Sequence, residues 1–70
     1  LYPNPATHDV YVRSDRPVSK VEIYSMSGAC VWRTGDFTGK ADVSGLESGV
    51  YAVRVYTSPA PQTKLLIVRK

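Results

Sequence analysis

The side chains able to do chemistry in this chain are few and scattered. His8, its one histidine, stands between Thr7 and Asp9, while Cys30, its one cysteine, precedes Val31 and Trp32. Asp36 and Asp42 flank a loop. Nucleophilic catalysis needs a base beside the nucleophile and a group to orient that base. His8 and Asp9 are neighbours, and neighbours in a strand point to opposite faces, so they do not make such a pair. His8 is expected as a polar residue at the start of a strand. Paired carboxylates working as acid and base need a concave pocket. A chain of 70 residues hides only roughly 60% of its surface on folding and builds no deep cleft. Asp36 and Asp42 match no calcium-loop spacing, and no glycine-rich phosphate cradle follows a strand. A single Cys and a single His give neither an internal disulfide nor a structural zinc site. The expectation is no enzyme, no catalytic residue, no metal and no cofactor, with Cys30 an unpaired, largely buried small hydrophobe.

Charge and aromatic residues give two further leads. The net charge is +3, unevenly placed: residues 1–47 hold five basic and six acidic residues, and residues 48–70 hold Arg54, Lys64, Arg69 and Lys70 with no acid. Such a bias suits an acidic partner, or it guards an apolar edge strand against sheet-to-sheet aggregation. Tyr11 and Arg13, Trp32 and Arg33, and Arg54 and Tyr56 interleave rings with cations. Small β-barrels stack bases on faces of that kind. The same pairs are ordinary on the solvated face of an antiparallel sheet, and there is no RNP-like aromatic motif. Nucleic acid is not the expected partner.

The elements that would position these residues are strands. At 43% hydrophobic and 21% charged the composition is globular, and no apolar run approaches the ~20 residues of a membrane helix. Val, Ile, Thr, Tyr, Phe and Trp make up 24 of the 70 residues, types that favour a pleated surface over a helix. Val10 and Val12 alternate with Tyr11 and Arg13; Val21 and Ile23 alternate with Lys20, Glu22 and Tyr24; Tyr51, Val53 and Val55 alternate with Ala52, Arg54 and Tyr56. This period of two is the half-buried strand pattern. Leu65 to Val68 is apolar at every position, which reads as a strand with apolar groups on both faces. Strands are expected near His8–Ser14, Ser19–Ser25, Ala29–Thr34, Lys40–Val43, Val50–Tyr56 and Thr63–Arg69, with Leu1-Tyr2 a possible seventh. Ser27-Gly28 marks a hairpin, Ser44 to Gly49 a compact turn that tucks Leu46 inward, and Ser58-Pro59-Ala60-Pro61 a stiff, exposed connection. Turn signals every 8–12 residues point to a small immunoglobulin-like antiparallel β-sandwich, with a small closed barrel as the rival.

The order of the blocks is specific. Leu1-Tyr2-Pro3-Asn4-Pro5-Ala6-Thr7 opens the chain, and Val21 to Gly28 follows with Val31 behind it. Then come Asp42-Val43-Ser44-Gly45-Leu46-Glu47-Ser48-Gly49-Val50-Tyr51-Ala52-Val53-Arg54-Val55 and finally Lys64 to Lys70. This resembles the C-terminal sorting domain of the type IX secretion system, in its type A form, from Leu1 to Lys70. Ser25 stands where that family usually has Asp, Ala29-Cys30 where it has Arg, and Pro59-Ala60-Pro61 where Gly is frequent. The resemblance implies a seven-stranded immunoglobulin-like sandwich without catalysis, at the end of a longer precursor. It implies passage of cargo from the periplasm through an outer-membrane translocon to the cell surface or beyond. A sortase-type cysteine protease then cuts upstream of Leu1. Absence of a signal peptide at Leu1 fits a piece of such a precursor. A permanent adhesion module of similar fold is the alternative.

On that reading Lys64, Leu65, Leu66, Ile67, Val68, Arg69 and Lys70 are the candidate translocon-recognition strand, read through its backbone by strand addition. An edge-strand homodimer is a further possibility. Arg69 and Lys70 are expected to be exposed charges whose loss changes stability by no more than about 0.5 kcal/mol. Pro3, Asn4 and Pro5 would fix an extended lead-in. Gly28 serves the hairpin, Gly45 and Gly49 are expected to need backbone angles open to glycine, and Tyr51 to keep its ring in the core and its hydroxyl at the rim.

Overall fold

Apolar residues at every second position give each strand one face for burial. In the computed structural model, which describes residues 6–35 and 39–70, six strands form from the alternating segments. They are β1 (Asp9–Tyr11), β2 (Val18–Ser25), β3 (Cys30–Thr34), β4 (Lys40–Asp42), β5 (Gly49–Thr57) and β6 (Gln62–Val68). The expected seventh strand at Leu1-Tyr2, and Pro3, Asn4 and Pro5, lie outside the described residues.

The strands make two sheets, one of β1 and β4, the other in the order β3-β2-β5-β6, all paired antiparallel. Two separate sheets are a sandwich and not a closed barrel. The chain leaves the large sheet after β3, pairs β4 with β1, and returns as β5 between β2 and β6. This arrangement is that of immunoglobulin-like sandwiches, in which strands B and E face the sheet of strands C, F and G. Tyr51 strengthens the match. It is buried near the start of β5 and its hydroxyl donates to the Glu47 carbonyl at 2.7 Å, a tyrosine corner of the kind such folds carry.

The core forms between the layers. Val10, Ala41 and Val43 from the small sheet side meet Val21, Ile23, Val53, Val55, Leu66 and Val68 of the large one, and Leu46 packs against them from the β4–β5 turn. Within the large sheet Ile23 stands opposite Val53, and Val21 opposite Val55, so β-branched pairs line the inner face of its centre. Ala6, fully buried, joins β6 by a parallel bridge to Val68, its N–H donating to the Ile67 carbonyl at 2.8 Å.

Two expectations are corrected. Cys30 is exposed, not buried. The β2–β3 register shifts between Ile23 and Tyr24, which sets Trp32 opposite Ile23 and Cys30 opposite Tyr24. Trp32 takes the half-buried inner place, and the thiol is left on an edge strand. Gly45 and Gly49 do not need glycine's freedom: the positive-φ glycines among the described residues are Gly28 at 93° and Gly39 at 110°. Gly49 lies within β5 opposite Val68, and a Cβ there would meet the Tyr51 ring at 3.8 Å, an ordinary contact. At Gly28 the left-handed backbone makes the hairpin turn, with its N–H bonded to the Ser25 carbonyl.

The cost of a side chain therefore belongs at the hairpin. Gly28→Val should lower stability by about 1–3 kcal/mol, whereas Gly49→Val should cost under about 1 kcal/mol. Denaturation midpoints of the two variants measure this; the opposite ranking would contradict the backbone assignment.

Candidate functional site

The strand singled out in the sequence, with the two residues after it, divides into residues of different kinds. Leu66 and Val68 are buried, while Leu65 and Ile67 remain 63% and 40% exposed. Strand alternation explains this: Leu66 lies opposite Tyr51 on the core side, and Leu65 opposite Ala52 on the outer side. Lys64 has the parity of Leu66 and Val68 and pairs with Val53, yet it is exposed. Among the described strands β6 is the last of its sheet, and a charge on its core-side parity resists pairing with a foreign strand. The edge is also covered at its end, since the Arg69 N–H donates to the Ala6 carbonyl at 2.9 Å, beside the bond from Ala6 to Ile67.

Lys70 departs from the expectation of a free surface charge. Its ammonium donates to the carbonyls of Thr7 at 2.8 Å, Ser44 at 2.9 Å and Val43 at 3.3 Å. Its backbone N–H donates to the Ser48 hydroxyl at 2.9 Å. Three donors meet three acceptors, the full capacity of an ammonium group. The bonds join the end of β6 to the segment before β1 and to the turn after β4. Arg69, by contrast, is exposed and contributes only its backbone to these junctions.

A second cluster lies on the outer face of the large sheet. Glu22 is only 8% exposed. Its Oε1 accepts the Tyr56 hydroxyl at 2.7 Å and the Tyr24 hydroxyl at 2.8 Å, and its Oε2 lies 3.8 Å from the Lys20 ammonium. Arg33 and Arg54 stand opposite Glu22 on the two neighbouring strands. Lys20 lies 4.3 Å above the Tyr56 ring and Arg54 5.4 Å from its centre. The Tyr56 hydroxyl, then that of Tyr24, then the charges of Lys20 and Arg54 hold the Glu22 carboxyl below its ordinary value, against the opposing pull of burial. The bonded carboxylate in turn raises both phenols. Alternation had placed Lys20, Glu22 and Tyr24 on one face, and Arg54 and Tyr56 on one face. Only the β2–β5 register shows that the two faces are the same and share a carboxylate. The cluster also occupies rings that resembled a base-stacking platform, and Trp32 is turned toward the core.

The acidic and thiol candidates do not gather. Asp42 accepts the Ser44 N–H at 2.9 Å, and Ser44's hydroxyl and N–H lower its carboxyl; Asp36 lies outside the described residues. His8 is exposed and its Nδ1 meets the Thr7 hydroxyl at 3.1 Å. Among the described residues there is no pocket and no group of three potential metal ligands.

The fold is thus that of an immunoglobulin-like module whose distinctive features lie on its surface and its last strand. A family model described as the secretion system C-terminal sorting domain matches residues 1–69. The chain belongs to that family, the sorting domains of the type IX secretion system, which are targeting modules directing export to the outer membrane or cell surface. No curated protein matches the chain.

Two predictions follow from the geometry. Lys70→Ala should lower stability by about 1–2 kcal/mol, because it removes three hydrogen bonds that tie the end of β6 to two other segments, while Arg69→Ala stays within about 0.5 kcal/mol; equal denaturation midpoints for the two variants would refute the junction. Glu22 and Asp42 have folded-state carboxyls below their ordinary values of 4.5 and 3.8. The folded state therefore binds fewer protons than the unfolded one at acid pH. Their stabilisation is complete above about pH 4.5 and is lost as pH falls through the depressed values. Denaturation midpoints followed from pH 6 to pH 3, rough bounds of that window, should decline less steeply in Glu22→Gln than in the parent. Superimposable profiles would remove Glu22 from the acid response.

Proposed function

We propose that the 70-residue unit is a single non-catalytic sorting domain of a longer precursor. It conducts cargo from the periplasm through the outer-membrane translocon, and a sortase-type cysteine protease acting upstream of Leu1 then removes it. The observation that carries this reading is the family match across residues 1–69. The structure adds physical support. Residues 64–70 supply core side chains, an exposed outer row and the Lys70 junction within a few residues. Recognition of this segment is then tied to folding, because the outer row is set in place only when Leu66 and Val68 are buried. Pro3, Asn4 and Pro5 serve as the lead-in that separates the domain from the cleavage region.

The test is a fusion of residues 1–70, with upstream linker, to a periplasmic reporter in a host with this secretion system. The reporter should reach the cell surface or medium without the domain attached, and deletion of Ile67 to Lys70 should leave it in the periplasm. Retention of the full fusion in the periplasm as a folded protein would overturn the targeting role. Export with the domain permanently attached would favour an adhesion module instead.

A further inference from the structure

Exposed large hydrophobic residues are not spread over this domain. Of the six among the described residues, Met26, Val31, Val50, Leu65 and Ile67 come from the large sheet and its β2–β3 hairpin; the sixth is Tyr11. The register sets Val50, Leu65 and Ile67 side by side. Val50 lies opposite Ile67, and Ala52 lies between Leu65 on one neighbouring strand and Tyr24 on the other. Met26 follows Ser25, which pairs with Tyr51 at the Val50 end of β5. The outer face is therefore apolar at the end near the β2–β3 hairpin. Farther along it is polar, where Glu22 faces Arg33 and Arg54. Contiguous apolar surface of this kind marks an interaction site.

The charge around the patch selects the occupant. Arg54 and Arg33 border it on one side, and exposed Arg69 follows Val68 on the other. The acid of this face, Glu22, is already spent on Tyr24, Tyr56 and Lys20. What a partner meets is an apolar strip with a positive border. A second copy of this chain would set cation against cation, which is unfavourable. We propose that this outer face, centred on Val50, Leu65 and Ile67, docks broadside on a protein of the secretion machinery that presents an apolar strip edged with carboxylates. The mode differs from strand addition: the partner covers side chains of the sheet face, and the edge near Ile67 keeps its bonds to Ala6. The inference rests on the targeting role proposed above.

Export of the reporter fusion tests it. The substituted side chains are exposed and lie outside the Glu22 network, so Leu65→Ser with Ile67→Ser, and separately Arg69→Glu, should leave the domain folded; its denaturation midpoint and monomeric state are measured alongside. Each variant should lower the exported fraction by about tenfold, the effect of losing one well-packed anchor. As a control, Ser14→Glu adds an acid on the exposed β1–β2 connection and should export normally. If the parent fusion is exported and these folded variants match it, broadside docking is wrong while the targeting role stands. If the parent itself is not exported, the targeting role fails first. The purified domain is also sedimented alone and with phosphatidylglycerol vesicles. Loss of a parent dimer in Leu65→Ser/Ile67→Ser would assign the patch to self-association, and loss of vesicle binding would assign it to a lipid surface; either result overturns the proposal.

Discussion

Everything in this domain hangs on the ladder between β2 and β5. It is the centre of the four-stranded sheet, and from Lys20 to Ser25 its two faces are fixed by a single register. With Ile23 opposite Val53 and Val21 opposite Val55, the inner face is a block of β-branched side chains. The same register puts Glu22 opposite Arg54 and brings Tyr56 within reach of its carboxylate. A slip of one residue would bury Glu22 and expose Ile23, so core and outer network specify the same alignment. A buried carboxylate with a single partner is costly, but one with two hydroxyls and an ammonium is satisfied. The outer network therefore adds specificity where the apolar pairs add stability.

At one end the sandwich is closed by polar bonds as well as by the burial of Ala6, Val43 and Val68. Ala6 bridges to β6, and Lys70 gathers carbonyls from Thr7, Val43 and Ser44. A thin two-stranded layer such as β1 and β4 has little surface of its own to bury, so junctions at its ends matter more than they would in a larger sheet. The tyrosine corner at Tyr51 plays the same part on the β4–β5 turn, fixing Glu47 to the strand that follows.

Much of the fold was legible because period-two alternation and turn residues are local signals. The six strands fall where Val10, Val21, Ile23, Val53 and their neighbours predicted them, and Gly28 turns the expected hairpin. What failed was what depends on pairing. Cys30 looked buried because it precedes two apolar residues, yet a register shift against β2 gave the inner place to Trp32. Gly45 and Gly49 stood in a turn-rich stretch, but their φ angles are not positive, and Gly39 has that role instead. Leu65 to Val68 carried apolar groups on both faces without saying which pair turned inward; the pairing of Leu66 with Tyr51 settles it. Glu22 was half legible: Lys20 and Tyr24 share its strand and its face, but its partners Tyr56 and Arg54 lie on another strand and only pairing brings them in.

The basic bias of the C-terminal third illustrates the same point at the level of function. As a count it is four cations and no acid, and it invites one explanation. In the structure the four are unlike. Lys64 lies on the core-side parity of β6, the last described strand of its sheet, where a charge resists foreign pairing. Lys70 is consumed by three carbonyls and belongs to the architecture. Arg54 and Arg69 are what remain exposed beside the apolar row of Val50, Leu65 and Ile67. A targeting domain has to be recognised whatever cargo precedes it, so its signal must lie in surface that its own fold holds in place. A sheet face meets that requirement better than a loop, since its side chains are set by the same register that builds the core.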